Sequence, residues 1–141
     1  MIKNAIVTEK LEAELNDLLR NNREIKFAII TSIEGIPIFS LIPRKYNNSK
    51  IAAMIASIRS ISEMAVEDMK IGIFEEIYVK GIDGYIFILD AEEAILAVST
   101  TKKAQMGLVL FECKNALDKI AKILRKEEIE EANISHINSF I

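Results

Sequence analysis

The chain reads as an α/β protein of the α+β type, with one antiparallel sheet and helices covering both of its faces. Three observations predict this. Half of the 141 residues are apolar, and among them 26 isoleucines outnumber 11 leucines, a β-branched bias suited to a pleated surface. Apolar spacing alternates between strand-like and helix-like runs in the order α-β-β-α-β-β-β-α. The strand-like runs are joined by short turns, so no parallel crossover is required between them.

The first helix is expected over residues 8–21. Leu11, Leu15, Leu18 and Leu19 form one apolar stripe, Thr8 can cap its start, and Asn21-Asn22 can end it. Ile25–Ile30 and Ile36–Ile42 flank the turn Ser32-Ile33-Glu34-Gly35 and read as a hairpin. Pro37 has no N–H for a ladder, which sends the second strand to a sheet edge.

After Pro43 the period changes. Asn47, Asn48 and Ser49 offer caps for a helix over about residues 50–69. On a helical wheel Ile51, Met54, Ile55, Ile58, Ile61, Ala65, Val66 and Met69 gather on one side, the expected core face. The other side carries Ala52, Ala53, Ala56, Ser57 and Ser60, joined by Glu63, Glu67 and Lys70. A solvated face normally bears long charged side chains, so these small residues are expected to form a second packing surface. Alanine's high helix propensity explains some of them, but serine contributes nothing to propensity.

Three strands follow, at 74–80, 85–89 and 94–98, joined by Gly81–Gly84 and Asp90–Glu93 as a meander. Tyr85–Leu89 is apolar throughout, as in a central strand, whereas 74–80 mixes Glu75, Glu76 and Lys80 with apolar residues, as at an edge. Ser99-Thr100-Thr101 is expected to cap a last helix marked by Met106, Leu110, Cys113, Leu117, Ile120 and Leu124. One domain over 1–124 is therefore expected, followed by a charged extension or tail over 125–141. There, Ile134, Ile137 and Ile141 form at most a narrow apolar edge on a frayed helix or loose tail.

The residue inventory excludes most chemistry. There is one His, one Cys and no Trp, and the net charge is -3. A single thiol cannot form an intrachain disulfide and suits a reducing, cytoplasmic setting. No apolar run reaches the ~18 residues of a membrane span, and the N-terminus lacks the pattern of a signal peptide. His136 has no Cys or His companions for a metal, and Cys113 sits on an apolar helical stripe without a base. Thr100-Thr101-Lys102-Lys103 opens a helix without the glycines of a phosphate loop. Glu75-Glu76 and Glu92-Glu93 are adjacent strand-type pairs, whose side chains face opposite ways and cannot share a proton. Lys and Arg are scattered, Arg44-Lys45-Tyr46 being too small a cluster for nucleic acid. The expectation is a protein that is not an enzyme and needs no cofactor.

The run from Phe27 through Ser32-Ile33-Glu34-Gly35-Ile36-Pro37 to Ile38 resembles the first hairpin of Roadblock (dynein light-chain) domains, whose turn reads Ser-x-Glu/Asp-Gly-x-Pro. Lys50-Ile-Ala-Ala-Met-Ile-Ala-Ser-Ile looks like the start of that family's long central helix. Gly84–Ile88 and Ala94–Val98 match its later strands, and Met106–Val109 sits where its last helix begins. The similarity spans about residues 8–124 and is to the prokaryotic type.

The resemblance implies a five-stranded antiparallel sheet with the long helix on one face and the terminal helices on the other. It implies dimerisation through the long helix and the third strand, as a homodimer or with a paralogue. The interface would draw on Ala52, Ala53, Ala56, Ser57, Ser60 and Glu63 of the helix, and on Glu76, Ile77, Tyr78 and Val79 of the strand. It further implies a small Ras-like GTPase as partner, regulated or scaffolded, with Arg44 and Arg59 as exposed arginines able to reach it. Two alternatives accompany it: a purely structural assembly subunit and a small-molecule sensor domain. On this reading Ala56→Glu should yield a monomer with impaired folding or solubility.

Overall fold

The computed structural model describes residues 5–92 and 94–138, with side chains described except at 128–131 and 135–138. Helix α1 (Ala5–Asn21) buries Val7, Leu11, Leu15 and Leu18. It begins at least a turn earlier than the Leu pattern indicates, so Thr8 lies inside it instead of capping it. At its other end Asn22 stops the helix as expected: its amide donates to Leu18 O, and its Oδ1 accepts the Glu24 amide.

Strands β1 (Ile25–Ser32) and β2 (Pro37–Leu41) form the first hairpin. Helix α2 (Asn48–Asp68) follows, its N-terminus capped by the Asn47 side chain, which accepts the Lys50 amide at 3.0 Å. Strands β3 (Glu76–Gly81), β4 (Gly84–Ala91) and β5 (Ala94–Thr101) form the meander, and α3 (Met106–Asn138) ends the described chain. All pairings are antiparallel, and the sheet order is β2-β1-β5-β4-β3. Both edges are the ones that sequence indicates: β2 with Pro37 at its start, and the charge-bearing β3.

Strand lengths differ from expectation. Asp90 continues β4, and Ser99, Thr100 and Thr101 continue β5 instead of capping α3. Backbone pairing overrides local capping preference here: Thr101 donates its amide to Glu24 O at 2.8 Å, and its hydroxyl is engaged by Glu24 and the Lys103 amide. Phe74 and Glu75 precede β3. Gly84 is required where β4 begins, because an added Cβ would lie 2.0 Å from Thr100 O. The β4–β5 turn uses Glu92 at φ 49°, and Glu93 lies outside the described residues.

The two faces of the sheet are unequally filled. Against α1 and α3 lies the main core, including Phe87, Leu89, Leu96 and Val98 from the sheet, Leu11 and Leu15 from α1, and Val109, Cys113 and Ile120 from α3. Each such side chain contributes roughly 1.5–3 kcal/mol on burial. Opposite, Ile29, Ile88, Ile95 and Ala97 meet Ala52, Ile55 and Ala56 of α2, with the partly buried Ile51 and Ile58 beside them. The thinness of this second layer leaves apolar surface uncovered on the α2 side. Beyond the core, α3 runs on through Arg125, which pairs with Glu92, to Asn138. Of the C-terminal isoleucines, Ile134 is exposed, the Ile137 side chain is not among those described, and Ile141 lies outside the described residues.

Candidate functional site

The β1–β2 turn decides how α2 sits. Gly35 holds φ +89°, its amide donates to Ser32 O, and the Ser32 amide donates to Ile36 O. This turn rises from the sheet towards α2 so closely that a Cβ on Gly35 would stand 3.2 Å from Ala53 Cα and 3.3 Å from Ala56 Cβ. Small residues at 52, 53 and 56 let the turn and the helix meet. They do mark a close approach, as the sequence indicates, but its partner is a turn of the same chain.

That contact corrects the predicted division of the helix. Ala52, Ile55, Ala56 and Arg59 face the sheet and are buried. Ala52 and Ala56 thus have no surface to give to a second molecule, whereas Ala53, Ser57 and Ser60 remain exposed. The stripe expected to form the core is split: Ile55 is buried and Ile51 and Ile58 pack beside it, whereas Met54, Ile61 at 68% and Met69 at 73% are exposed, as is the neighbouring Met64 at 60%. Past Arg59 no residue of α2 is buried. The signal is present in Met54, Ile61, Ala65 and Met69, the outer part of an apolar stripe too wide for a single helix–sheet contact to absorb.

Arg59 is also corrected. It is 9% exposed and cannot serve as a free surface cation. Its Nε donates to Asp90 Oδ1 and Oδ2 at 2.9 and 3.1 Å, its second guanidinium nitrogen donates to Asp90 Oδ2 at 2.7 Å, and Glu63 Oε2 lies 2.7 Å away. Hydrogen bonding to Asp90 holds the guanidinium above its already high pKa, against the opposing effect of burial. The cluster ties the middle of α2 to the end of β4. It also gives Glu63 a role within the chain. Arg44 stays exposed, in the turn between β2 and α2.

Along β3 the side chains alternate. Ile77 packs on the α2 side, while Tyr78 sets its ring edge-on to Phe87 at 5.3 Å on the other. Tyr78 donates its hydroxyl to Glu76 at 2.9 Å, and Glu76 also meets Lys114 of α3 at 3.5 Å. Burial of the ring, helped by the Glu76 carboxylate, pushes the Tyr78 phenol up to about 12. Tyr78 and Val79 are both partly exposed at this outer strand. Just before it, Ile71 and Ile73 lie open to solvent.

Between α2 and the bare part of the sheet runs a trough of about 300 Å³, lined by Phe27, Tyr46, Met54, Ile58, Ile86 and Ala97 among others. The trough, the outward stripe of α2 and the open β3 edge together concentrate exposed apolar surface on one side of the molecule. Such surface marks association more than chemistry. Cys113 is buried in the main core, and desolvation lifts its thiol to about 12, so it stays protonated. Among the described residues no group of three or more His, Cys, Asp or Glu could hold a metal ion, and no helix is long and apolar enough to cross a membrane. The His136 side chain is not among those described.

A family model described as the Roadblock/LC7 domain matches residues 11–100. An uncharacterized protein of Methanocaldococcus jannaschii, MJ0310, is 28% identical over 102 residues, covering 72% of this chain and 90% of that protein. Among solved structures, the gliding protein MglB of Thermus thermophilus superposes with a TM-score of 0.79 at 18% identity, covering 89% of this chain and 96% of that one. A Roadblock/LC7 domain from Streptomyces avermitilis gives a TM-score of 0.71 at 17% identity over 78% of this chain and 93% of that one. At these identities the likeness to solved structures establishes the fold.

Proposed function

Given that the chain belongs to the Roadblock/LC7 domain family, we propose that it works without catalysis of its own, as a dimeric regulator or scaffold that binds a small Ras-like GTPase. The observations that support this reading most are the exposed apolar residues of α2, Ile61, Met64 and Met69, and the unpaired edge of β3. A lone chain gains nothing by leaving so much apolar surface next to an open strand; a second copy covers both at once. The dimer interface then comprises Ala53, Ser57 and Ser60, the apolar stripe, and Glu76, Ile77, Tyr78 and Val79. Ala52 and Ala56 act within each chain.

The GTPase contact lies elsewhere on the dimer. Of the two candidate arginines, Arg44 is free to reach a partner, while Arg59 shapes the surface indirectly by anchoring α2. Any change in GTP hydrolysis would come from reshaping the switch loops of the GTPase. The test is capture of small GTPases from the same genome in their GDP and GTP states, followed by GTP turnover with and without this protein. Nucleotide-dependent capture is expected, weakened by Arg44→Glu. Failure to capture any GTPase in either state refutes the partner assignment.

A further inference from the structure

The trough between α2 and the sheet has a chemistry that the dimer does not use. Its floor is built of small or aliphatic side chains, Ala97 and Ser99 of β5 beside Ile86 of β4, and Ile51, Met54 and Ile58 of α2 border it. These helix residues follow one another over about 10 Å of axis, so the hollow is long. Its volume of about 300 Å³ reaches the range of small-molecule pockets, which are mostly apolar with a few placed polar groups. Met54 aside, none of its lining belongs to the interface proposed above for a second copy.

One end of the trough is basic. The β1–β2 register sets Ala28 opposite Leu41, so the chain leaves β2 beside the start of β1 and enters α2 through the turn at 42–47. There the rings of Phe27 and Tyr46, both in the lining, lie 5.5 Å apart, and the Lys45 ammonium stands 5.2 Å from the Tyr46 ring. Lys50 precedes Met54 by one helical turn on the same side of α2. The segments that build the trough, 26–29, 42–58, 84–88 and 97–101, carry Lys26, Arg44, Lys45 and Lys50, all exposed, and not one carboxylate. In a chain with 21 acidic residues and a net charge of -3, such an end is a local positive field, and the N-terminal end of α2 adds to it. Cations scattered along the sequence are gathered here by the fold.

We infer that the trough binds a single-chain anionic amphiphile, with its aliphatic chain along Ala97, Ile86 and Ile58 and its carboxylate or phosphate head at Lys45 and Lys50. Only Tyr46 and Ser99 bring hydroxyls to the lining, so a ligand polar throughout would lose its water without replacement. A neutral apolar ligand leaves the cations unused. A long chain with one anionic end satisfies both parts of the site.

Titration calorimetry of the full chain with saturated monocarboxylates of increasing length, each below its micelle concentration, tests this. One molecule per chain is expected, with affinity rising about fourfold per added methylene and levelling once the ligand outgrows the trough. The primary alcohol of equal length should bind about fivefold more weakly. Lys45→Glu with Lys50→Glu should bring the carboxylate down to the alcohol's affinity and leave the alcohol unchanged. Arg44 stays in place, so the GTPase contact proposed above is untouched. Ser99→Phe fills the floor and should abolish binding of both ligands; should that variant fail to fold, Met54→Glu, at a residue already half exposed, should weaken both several-fold. No binding at any length, equal affinity for carboxylate and alcohol, or affinity that climbs without levelling overturns the inference. Light scattering on the same samples keeps it separate from the dimer: uptake that requires the dimer to dissociate means that a second copy fills the trough, which overturns the inference and leaves dimerisation intact. Co-sedimentation with phosphatidylglycerol vesicles that free carboxylate does not reverse assigns the basic end to a membrane surface and overturns it too.

Discussion

The cluster that ties α2 to the sheet allows a quantitative test. Arg59 and Asp90 share three hydrogen bonds of 2.7–3.1 Å, and their side chains keep only 11% and 18% of their exposure. Removing one member of a buried ion pair typically costs about 3–5 kcal/mol, because the other charge is left without compensation. Here the cost is smaller, because Arg59 keeps Glu63 at 2.7 Å. Asp90→Leu should therefore destabilise by about 2–3 kcal/mol, and Arg59→Met by a similar amount, since Asp90 then loses its guanidinium. Replacing both, as Arg59→Met with Asp90→Leu, should cost about 1 kcal/mol or less, because apolar groups of similar volume need no partner. The double-mutant cycle then gives a coupling of at least about 3 kcal/mol. Urea unfolding followed by far-UV circular dichroism is the assay, as the chain has no Trp. Protein concentration must be held fixed, because association adds to apparent stability. A coupling below about 0.5 kcal/mol would mean that the cluster behaves as an ordinary surface ion pair and does not anchor the helix.

Three further outcomes are expected. Gly35→Ala should destabilise by about 1–3 kcal/mol, since it combines left-handed strain with pressure on Ala53 and Ala56; unchanged urea stability would contradict the close approach of turn and helix. Ile61→Asp should leave each chain folded by circular dichroism yet shift light scattering towards the monomer, whereas Ala56→Glu should lose secondary structure because Ala56 is packed within its own chain. Burial lifts the Cys113 thiol from 9.0 to about 12, so the folded state binds more protons than the unfolded one across that interval. Stability should be intact below about pH 9 and fall as pH rises towards 12, by up to about 1.4 kcal/mol per unit; Cys113→Ala should flatten this decline, and an unchanged slope would show that other groups cause it.

Much of the architecture is legible in the sequence because it rests on local rules. Pro37 can sit only where an N–H is not needed, which places β2 at an edge. Glu75, Glu76 and Lys80 among apolar residues mark β3 as the other edge, and the unbroken apolar run Tyr85–Leu89 marks a strand covered on both faces. Element ends are less legible. Ser99, Thr100 and Thr101 are good helix caps, yet pairing with β1 and β4 holds them in β5. The start of α1 escapes the Leu pattern because Val7 extends the stripe beyond what the leucines alone show. At the candidate site, β3 is identifiable as a strand with an open edge, while α2 is rotated from the orientation its wheel suggests, taking in Ala52 and Ala56 beside Ile55 and leaving Met54 and Ile61 outside.

The sequence by itself determined the number, order and antiparallel pairing of the elements, and that α2 has two faces worth burying. It also determined the inventory that leaves little room for catalysis. Only the tertiary structure decided which face of α2 lies on the sheet. A wheel reports the angle between stripes but not the orientation of the helix, and a wide apolar stripe is ordinarily the inward one. Here the Gly35 turn stands above the sheet and admits only alanine, and Asp90 draws Arg59 down beside it. Those two contacts come from residues far away in the chain, so no local pattern could reveal that Ala52 and Ala56 turn inward beside Ile55 while Met54, Ile61 and Met69 turn out.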